Sequence, residues 1–225
     1  MMNFLSHYYF ERDTTDVNVI IGVVLPDFVK NAEKSYNLYP AKEIHSFKDD
    51  PSQLSLHKGW ERHIKVDALF HSSAFFAEQT KILKQLLLPI MGDSPVKPFF
   101  LAHIGLELVL DHLLLINADV KVALFYDALA ASDKVALNQF LQNCGLSDTT
   151  AFFNFLNNFI SGKYLFSYQK MENIAYALNR ICMRIWNNPF SESQVDQLTI
   201  QLESYKSLLE TSYLSIFHEI EPQLK

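Results

Sequence analysis

Cysteine is nearly absent. The 225 residues hold only Cys144 and Cys182, far apart and at no metal or redox spacing, which excludes a disulfide framework and a thiolate metal site and leaves two reduced core residues. Glycine is scarce too, with 6 positions, and alternating strand patterns are rare, which argues against a sheet architecture. No excess of positive charge exists: the net charge is −6 and the pI about 5.7, so nothing draws the chain as a whole to nucleic acid or to an anionic membrane. The start, Met-Met-Asn-Phe-Leu-Ser-His, has neither the basic region nor the apolar core of a signal peptide. Long apolar runs are also missing. Val17–Leu25 is too short to span a bilayer, and Phe99–Ile116 is interrupted by His103, Glu107, Asp111 and His112. These absences lead us to expect a soluble cytoplasmic protein. With 49% hydrophobic residues the chain can build a sizeable core, and we expect one helical domain over 1–225.

What punctuation there is belongs to helices. Asp50-Pro51 pairs a capping acid with proline at the first helical position. The helix or helix pair that follows is expected to end at Leu88, before a break over 89–98. Another helix opens at Pro98 and runs to about Asn117. Ser132 and Ser147 are expected to cap helices ending at Gly145 and Gly162, and Ser191 with Gln194 has capping-box spacing ahead of a segment ending near Glu221-Pro222. Between these, Ile174, Leu178, Ile181 and Ile185 recur at helical spacing, and Phe152–Phe159 reads as helical core. Asn3–Phe10 is the best strand candidate. Residues 31–50 read as an irregular surface connection.

Polar residues concentrate in two places. In 57–71, His63, Asp67 and His71 fall four apart and stack on one helical face, with His57 and Trp60 near the same side. In 99–116, His103, Glu107, Asp111 and His112 sit in an otherwise apolar helix. Burying such groups is costly unless they are paired or hold a metal. Imidazole and carboxylate stacked in this way suit a divalent cation or a phosphate ester. The same residues also admit plainer readings. His63 and Asp67 can form an i,i+4 ion pair on a solvated helix, Asp27 can cap a helix after Pro26, and His7 can be a hydrogen-bonded core histidine. His103 and Glu107 can orient ligands or simply pair. Lys58, Arg62 and Lys65 can form an exposed charged face.

Four segments carry a resemblance. Met2-Asn3-Phe4-Leu5-Ser6-His7 resembles a Met-Asn-Phe-Leu-Ala-His opening, and Gly22-Val23-Val24-Leu25-Pro26-Asp27-Phe28-Val29 a Gly-Asn-Leu-Leu-x-Asp-Phe-Val segment. Gly59-Trp60-Glu61-Arg62-His63-Ile64-Lys65-Val66-Asp67 is similar to Gly-Ile-x-Leu-His-Arg-x-Ile-Asp, and Leu110-Asp111-His112-Leu113-Leu114 to Tyr-Asp-His-Phe-Leu. These are motifs of the acyl-carrier-protein phosphodiesterases, distant relatives of the HD-domain phosphohydrolases. They fall in order within residues 2–114, and the helical C-terminal half, 119–225, matches only in being helical and ending in an aromatic stretch.

The resemblance implies an all-α, HD-like multi-helix bundle, so Val17–Leu25 is expected to be helical with a kink or break at Pro26. It implies hydrolysis of the phosphodiester joining 4′-phosphopantetheine to a serine of acyl carrier protein, assisted by a divalent metal, Mn²⁺ or Mg²⁺ first, with Fe²⁺ or Zn²⁺ as further candidates. Asp27, His63, Asp67, His71, Asp111 and His112 are then the metal-ligand candidates, and His7, Asp27 and His63 the catalytic ones, with His7 as the proton donor. The chain departs from the family at Leu69-Phe70-His71-Ser72-Ser73, where the pattern is Phe-Thr-Asp-x-His. His71 stands where the family has an acid, Ser73 where it has a histidine, and Ile64 where it has an arginine. Two rival functions remain open: a related hydrolase acting on a small phosphoester or nucleotide, and a non-catalytic helical interaction protein. Nothing in the sequence gives an oligomeric state.

Overall fold

The structure, a computed structural model, describes residues 2–224. It is 74% helical, and no strand occurs among the described residues. The α-helices are α1 (Phe4–Tyr9), α2 (Val17–Gly22), α3 (Leu25–Ala32), α4 (Ile44–Phe47), α5 (Pro51–Ser72), α6 (Ala74–Met91), α7 (Pro98–Ile116), α8 (Val122–Ala131), α9 (Lys134–Asn143), α10 (Thr150–Gly162), α11 (Met171–Cys182), α12 (Glu192–Leu209) and α13 (Leu214–Ile220). Short 3₁₀ turns lie at Pro40–Lys42, Tyr164–Gln169 and Glu221–Leu224. The architecture is therefore an all-α multi-helix bundle.

The strand expected at Asn3–Phe10 is instead α1. Met2, Phe4, Leu5, Tyr8 and Tyr9 are all buried, and a helix buried on every side loses the one-faced apolar stripe that would reveal it. Other boundaries shift for local reasons. α6 continues through Pro89 to Met91, and Gln194 Nε2 donates to the Ile90 and Met91 carbonyls at 3.0 Å each, satisfying acceptors at the helix end. Asp133, not Ser132, caps α9 by accepting from Val135 N and Ala136 N. The Ser132 hydroxyl bonds back to the Leu129 carbonyl instead. α10 starts at Thr150, whose N–H donates to Asp148 rather than to Ser147. The cap at Asp50 and the capping box of Ser191 and Gln194 form as the sequence indicates.

The chain divides into two compact units. One gathers the segment up to Ser6, Asp67–Asp119 and everything from Leu165 on. Its central element is α7, which packs against α6, α11 and α12. A Cβ on Gly105 would lie 3.0 Å from Leu83, 3.7 Å from Leu178 and 3.8 Å from Leu202, one residue from each of those helices. α7 is long and apolar enough to cross a membrane, with a mean hydropathy of 1.9, yet two-thirds of it is buried. It is the core helix of its unit.

The other unit gathers His7–Val66 and Val120–Tyr164. Here α3 packs on α10, and α2 on α8. Aromatic rings fill the space between them: Phe28 meets Phe159 at 4.7 Å and Phe155 at 5.4 Å between centroids. Phe152 and Phe159 are buried, so the phenylalanine-rich stretch is core. α2 and α5 touch backbone to backbone at Gly22 and Gly59. A Cβ on Gly59 would lie 2.5 Å from the Val19 carbonyl oxygen and 2.6 Å from Gly22 Cα. Only glycine permits that approach.

Candidate functional site

The close crossing of α2 and α5 sets the position of His63. Gly59 brings the chain just beyond α2 onto α5, and one turn further along α5 the His63 Nδ1–H donates to the Val23 carbonyl at 2.8 Å. A carbonyl acceptor fixes the tautomer, so the lone pair is on Nε2. That nitrogen lies 4.0 Å from Oδ1 of Asp27 in the first turn of α3. The separation is too long for a hydrogen bond. His7 completes the group: its ring is stacked on His63 with centroids 3.8 Å apart and planes 17° apart. All three side chains are buried. His63 is therefore not part of a solvated ion pair, and Asp27 sits inside α3 rather than capping it, since the cap position is Val24.

Beside them lies a pair that the sequence did not single out. Glu11, 6% exposed, takes a 2.8 Å ion pair from Arg62 Nε. Burial raises its carboxyl pKa, and Arg62 and Lys58 only partly offset this. Glu11-Arg12-Asp13 reads as a charged surface turn, so nothing in the pattern marks Glu11 as buried. Arg62 is consequently committed to Glu11, while Lys58 and Lys65 are exposed.

The other unit holds the remaining candidates. Asp67 Oδ1 accepts the Met2 backbone N–H at 2.7 Å. Asp111, fully buried on α7, accepts from Leu5 N at 3.0 Å, Ser6 N at 2.8 Å and the Ser6 hydroxyl at 2.7 Å, and so caps the start of α1. Burial pushes its carboxyl up to about 7 against those hydrogen bonds, with Glu107's charge adding to the rise. His112 donates Nδ1–H to the Tyr168 carbonyl at 2.7 Å. Its Nε2 is buried with no hydrogen-bond partner among the described residues. Desolvation holds its pKa below the usual histidine value, so the ring is a neutral base. His71, the residue that replaces the family acid, turns toward His103 and Glu107 on α7. There burial would raise the Glu107 pKa, but the neighbouring imidazoles of His103 and His71 and nearby positive charge outweigh it and hold the carboxyl below its usual value.

Three histidines thus share one device. His63, His71 and His112 each give Nδ1–H to a backbone carbonyl, of Val23, Asp67 and Tyr168, which leaves Nε2 as the lone-pair nitrogen. Metal-binding imidazoles are oriented in this way. The acceptors are main-chain atoms, so no side-chain motif could have announced them.

An all-α bundle carrying inward-facing histidines and aspartates in these motifs is the frame of a phosphodiesterase family. The chain belongs to the acyl carrier protein phosphodiesterase family, whose match covers residues 2–220. No curated protein and no solved structure matches it significantly.

Proposed function

We propose that the chain hydrolyses the phosphodiester that joins 4′-phosphopantetheine to a serine of acyl carrier protein, with the help of a divalent metal. Membership of the family over nearly the whole chain is the observation that carries this reading. The donor types support such an ion: imidazoles oriented by backbone carbonyls at His63 and His112, and buried aspartate at Asp27, are groups that a hard-to-borderline cation takes. The family resemblance makes Asp27, His63, Asp67, His71, Asp111 and His112 the candidate ligands, and their oxygen and imidazole atoms favour Mn²⁺ or Mg²⁺ by ligand type. When bound, the ion supplies Lewis acidity toward the phosphoryl oxygens and lowers the pKa of a water.

The chain's own groups supply the rest. Water adds its oxygen to phosphorus, the bond from phosphorus to the serine oxygen breaks, and that oxygen takes a proton. His7 is the proton donor, held in place by its stack on His63. The partner is acidic and the chain carries −6, so recognition falls to local cations, the exposed Lys58 and Lys65 on α5 and Lys30 on α3. The buried free thiols of Cys144 and Cys182 suit a reducing compartment such as the cytoplasm.

The test is mass spectrometry of holo acyl carrier protein after incubation with enzyme and Mn²⁺. Loss of the phosphopantetheine mass is expected, along with its abolition by Asp67→Asn and its weakening by salt as the Debye length falls from about 10 Å to about 3 Å. Intact holo protein across several carrier proteins, with turnover of a small phosphodiester, would assign the chain to the rival hydrolase.

A further inference from the structure

The resemblance counts His71 among the candidate ligands of the hydrolytic ion, but the side chain turns instead to His103 and Glu107, which the resemblance leaves unassigned. His71 Nε2 is 3.0 Å from His103 Nε2, His103 Nε2 is 2.8 Å from Glu107 Oε1, and Glu107 Oε1 is 3.5 Å from His71 Nε2. We propose that these three atoms form a second metal site, taking a borderline divalent cation of the Zn²⁺ class through two imidazole nitrogens and one carboxylate oxygen.

The argument begins with protons. His71 spends its Nδ1–H on the Asp67 carbonyl at 2.7 Å, so its Nε2 is an acceptor. Glu107 is a carboxylate and also accepts. One N–H on His103 therefore faces two acceptors, at 3.0 and 2.8 Å. A cation in place of that proton meets all three atoms at once. The spacing fits: ligands about 2.0–2.1 Å from a tetrahedral Zn²⁺ stand about 3.3 Å apart, against the 2.8 to 3.5 Å found here.

The surroundings are those of a metal site. His103 and Glu107 are one turn apart on α7, and His71 comes from the last turn of α5. Glu107 is buried at its base, while the side chains of His71 and His103 keep 27% and 22% exposure, leaving a way in and a fourth position for water. Phe76 closes one side, edge-on to both imidazoles at 4.9 Å. Two imidazoles and one carboxylate favour Zn²⁺ or Co²⁺ over Mg²⁺. The ion would clip the end of α5 to α7 and raise thermal stability by mass action.

The test uses full-length protein stripped with chelator and titrated with Co²⁺, read by visible absorption and by bound equivalents. Wild type is expected to take up one more equivalent than His103→Gln, Glu107→Gln or His71→Gln. Residual affinity at this site should fall at least about 100-fold, since even an outer partner of a ligand costs about 10–100-fold. Zn²⁺ should raise the wild-type melting temperature more than that of the variants. Circular dichroism of the stripped proteins checks that each variant folds. His71→Gln, at the most exposed of the three positions, carries the test if a change on α7 unfolds the chain. Equal Co²⁺ uptake with the same spectrum in wild type and variants would overturn the site. The other candidate ligands of the hydrolytic ion contribute equally to all four proteins, so a loss of carrier-protein turnover is read separately.

Discussion

The imidazole of His7 lies flat on that of His63, with ring centroids 3.8 Å apart and both residues 1% exposed. Two like charges cannot share such a contact away from water, so at most one ring of the pair is protonated. His63 is oriented by the Val23 carbonyl with its lone pair on Nε2, and the mechanism proposed above assigns the transferred proton to His7. His7→Gln, close to it in volume, should therefore cut turnover about 10²–10⁴-fold with helical content unchanged. Single-turnover rates on holo carrier protein measure this. A rate within tenfold of wild type would remove His7 from the proton-donor role.

Gly59 governs the same group from a distance. A methyl there meets the Val19 carbonyl oxygen at 2.5 Å and Gly22 Cα at 2.6 Å, both backbone and unable to swing aside. Gly59→Ala should cost about 1–3 kcal/mol in urea unfolding. It should also loosen the Val23 carbonyl from His63, so activity should fall even at temperatures where the variant remains folded. Full activity in a folded Gly59→Ala protein would show that the crossing of α2 and α5 does not set the ligand geometry.

Much of this was legible in residues. Helical punctuation located α5, α7 and α12 because Asp50, Pro98 and the Ser191/Gln194 box act locally, within a turn of where they stand. The four motifs named the family and pointed to His7, Asp27 and His63, of which His7 stacks on His63 and Asp27 lies 4.0 Å from it. Legibility ended where burial or main-chain atoms decide. α1 looked like a strand because it is buried on every side. The carbonyls of Val23, Asp67 and Tyr168 that orient three imidazoles have no signature, because any residue supplies a carbonyl. The Glu11–Arg62 pair was hidden in a charged stretch. His103 and Glu107 were seen as a pair one turn apart, but the turn of His71 toward them depends on how α5 meets α7.

The two thiols allow a simple check of the core. Burial pushes both Cys144 and Cys182 up to about 12, with the charge of Glu43 adding at Cys144. At pH 8 the thiolate that reacts with disulfide reagents is then scarce, and access is blocked as well. Native protein should release almost no chromophore from such a reagent, while guanidinium-unfolded protein should release two equivalents, one per cysteine. Prompt reaction of the native protein would mean that one of the two helices bearing them, or its flanking turn, opens readily.

Asp111 sets a stability that depends on pH. Its carboxyl titrates near 7 in the folded chain against 3.8 as a free group, because burial outweighs the hydrogen bonds from Ser6 and Leu5. A folded pKa above the unfolded one means that the native state holds the proton more tightly. The stabilisation is then complete below about pH 4 and is lost as pH rises to 7, at about 1.4 kcal/mol for each pH unit inside that window. Asp111→Asn has no such proton. In urea unfolding of chelator-stripped protein, the stability of wild type relative to Asp111→Asn should therefore be greater at pH 5 than at pH 8. His112 titrates in the opposite sense, but it is present in both proteins and cancels to first order. A difference that stayed constant, or grew with pH, would mean that Asp111 is ionised throughout, with its three hydrogen bonds to the start of α1 prevailing over burial.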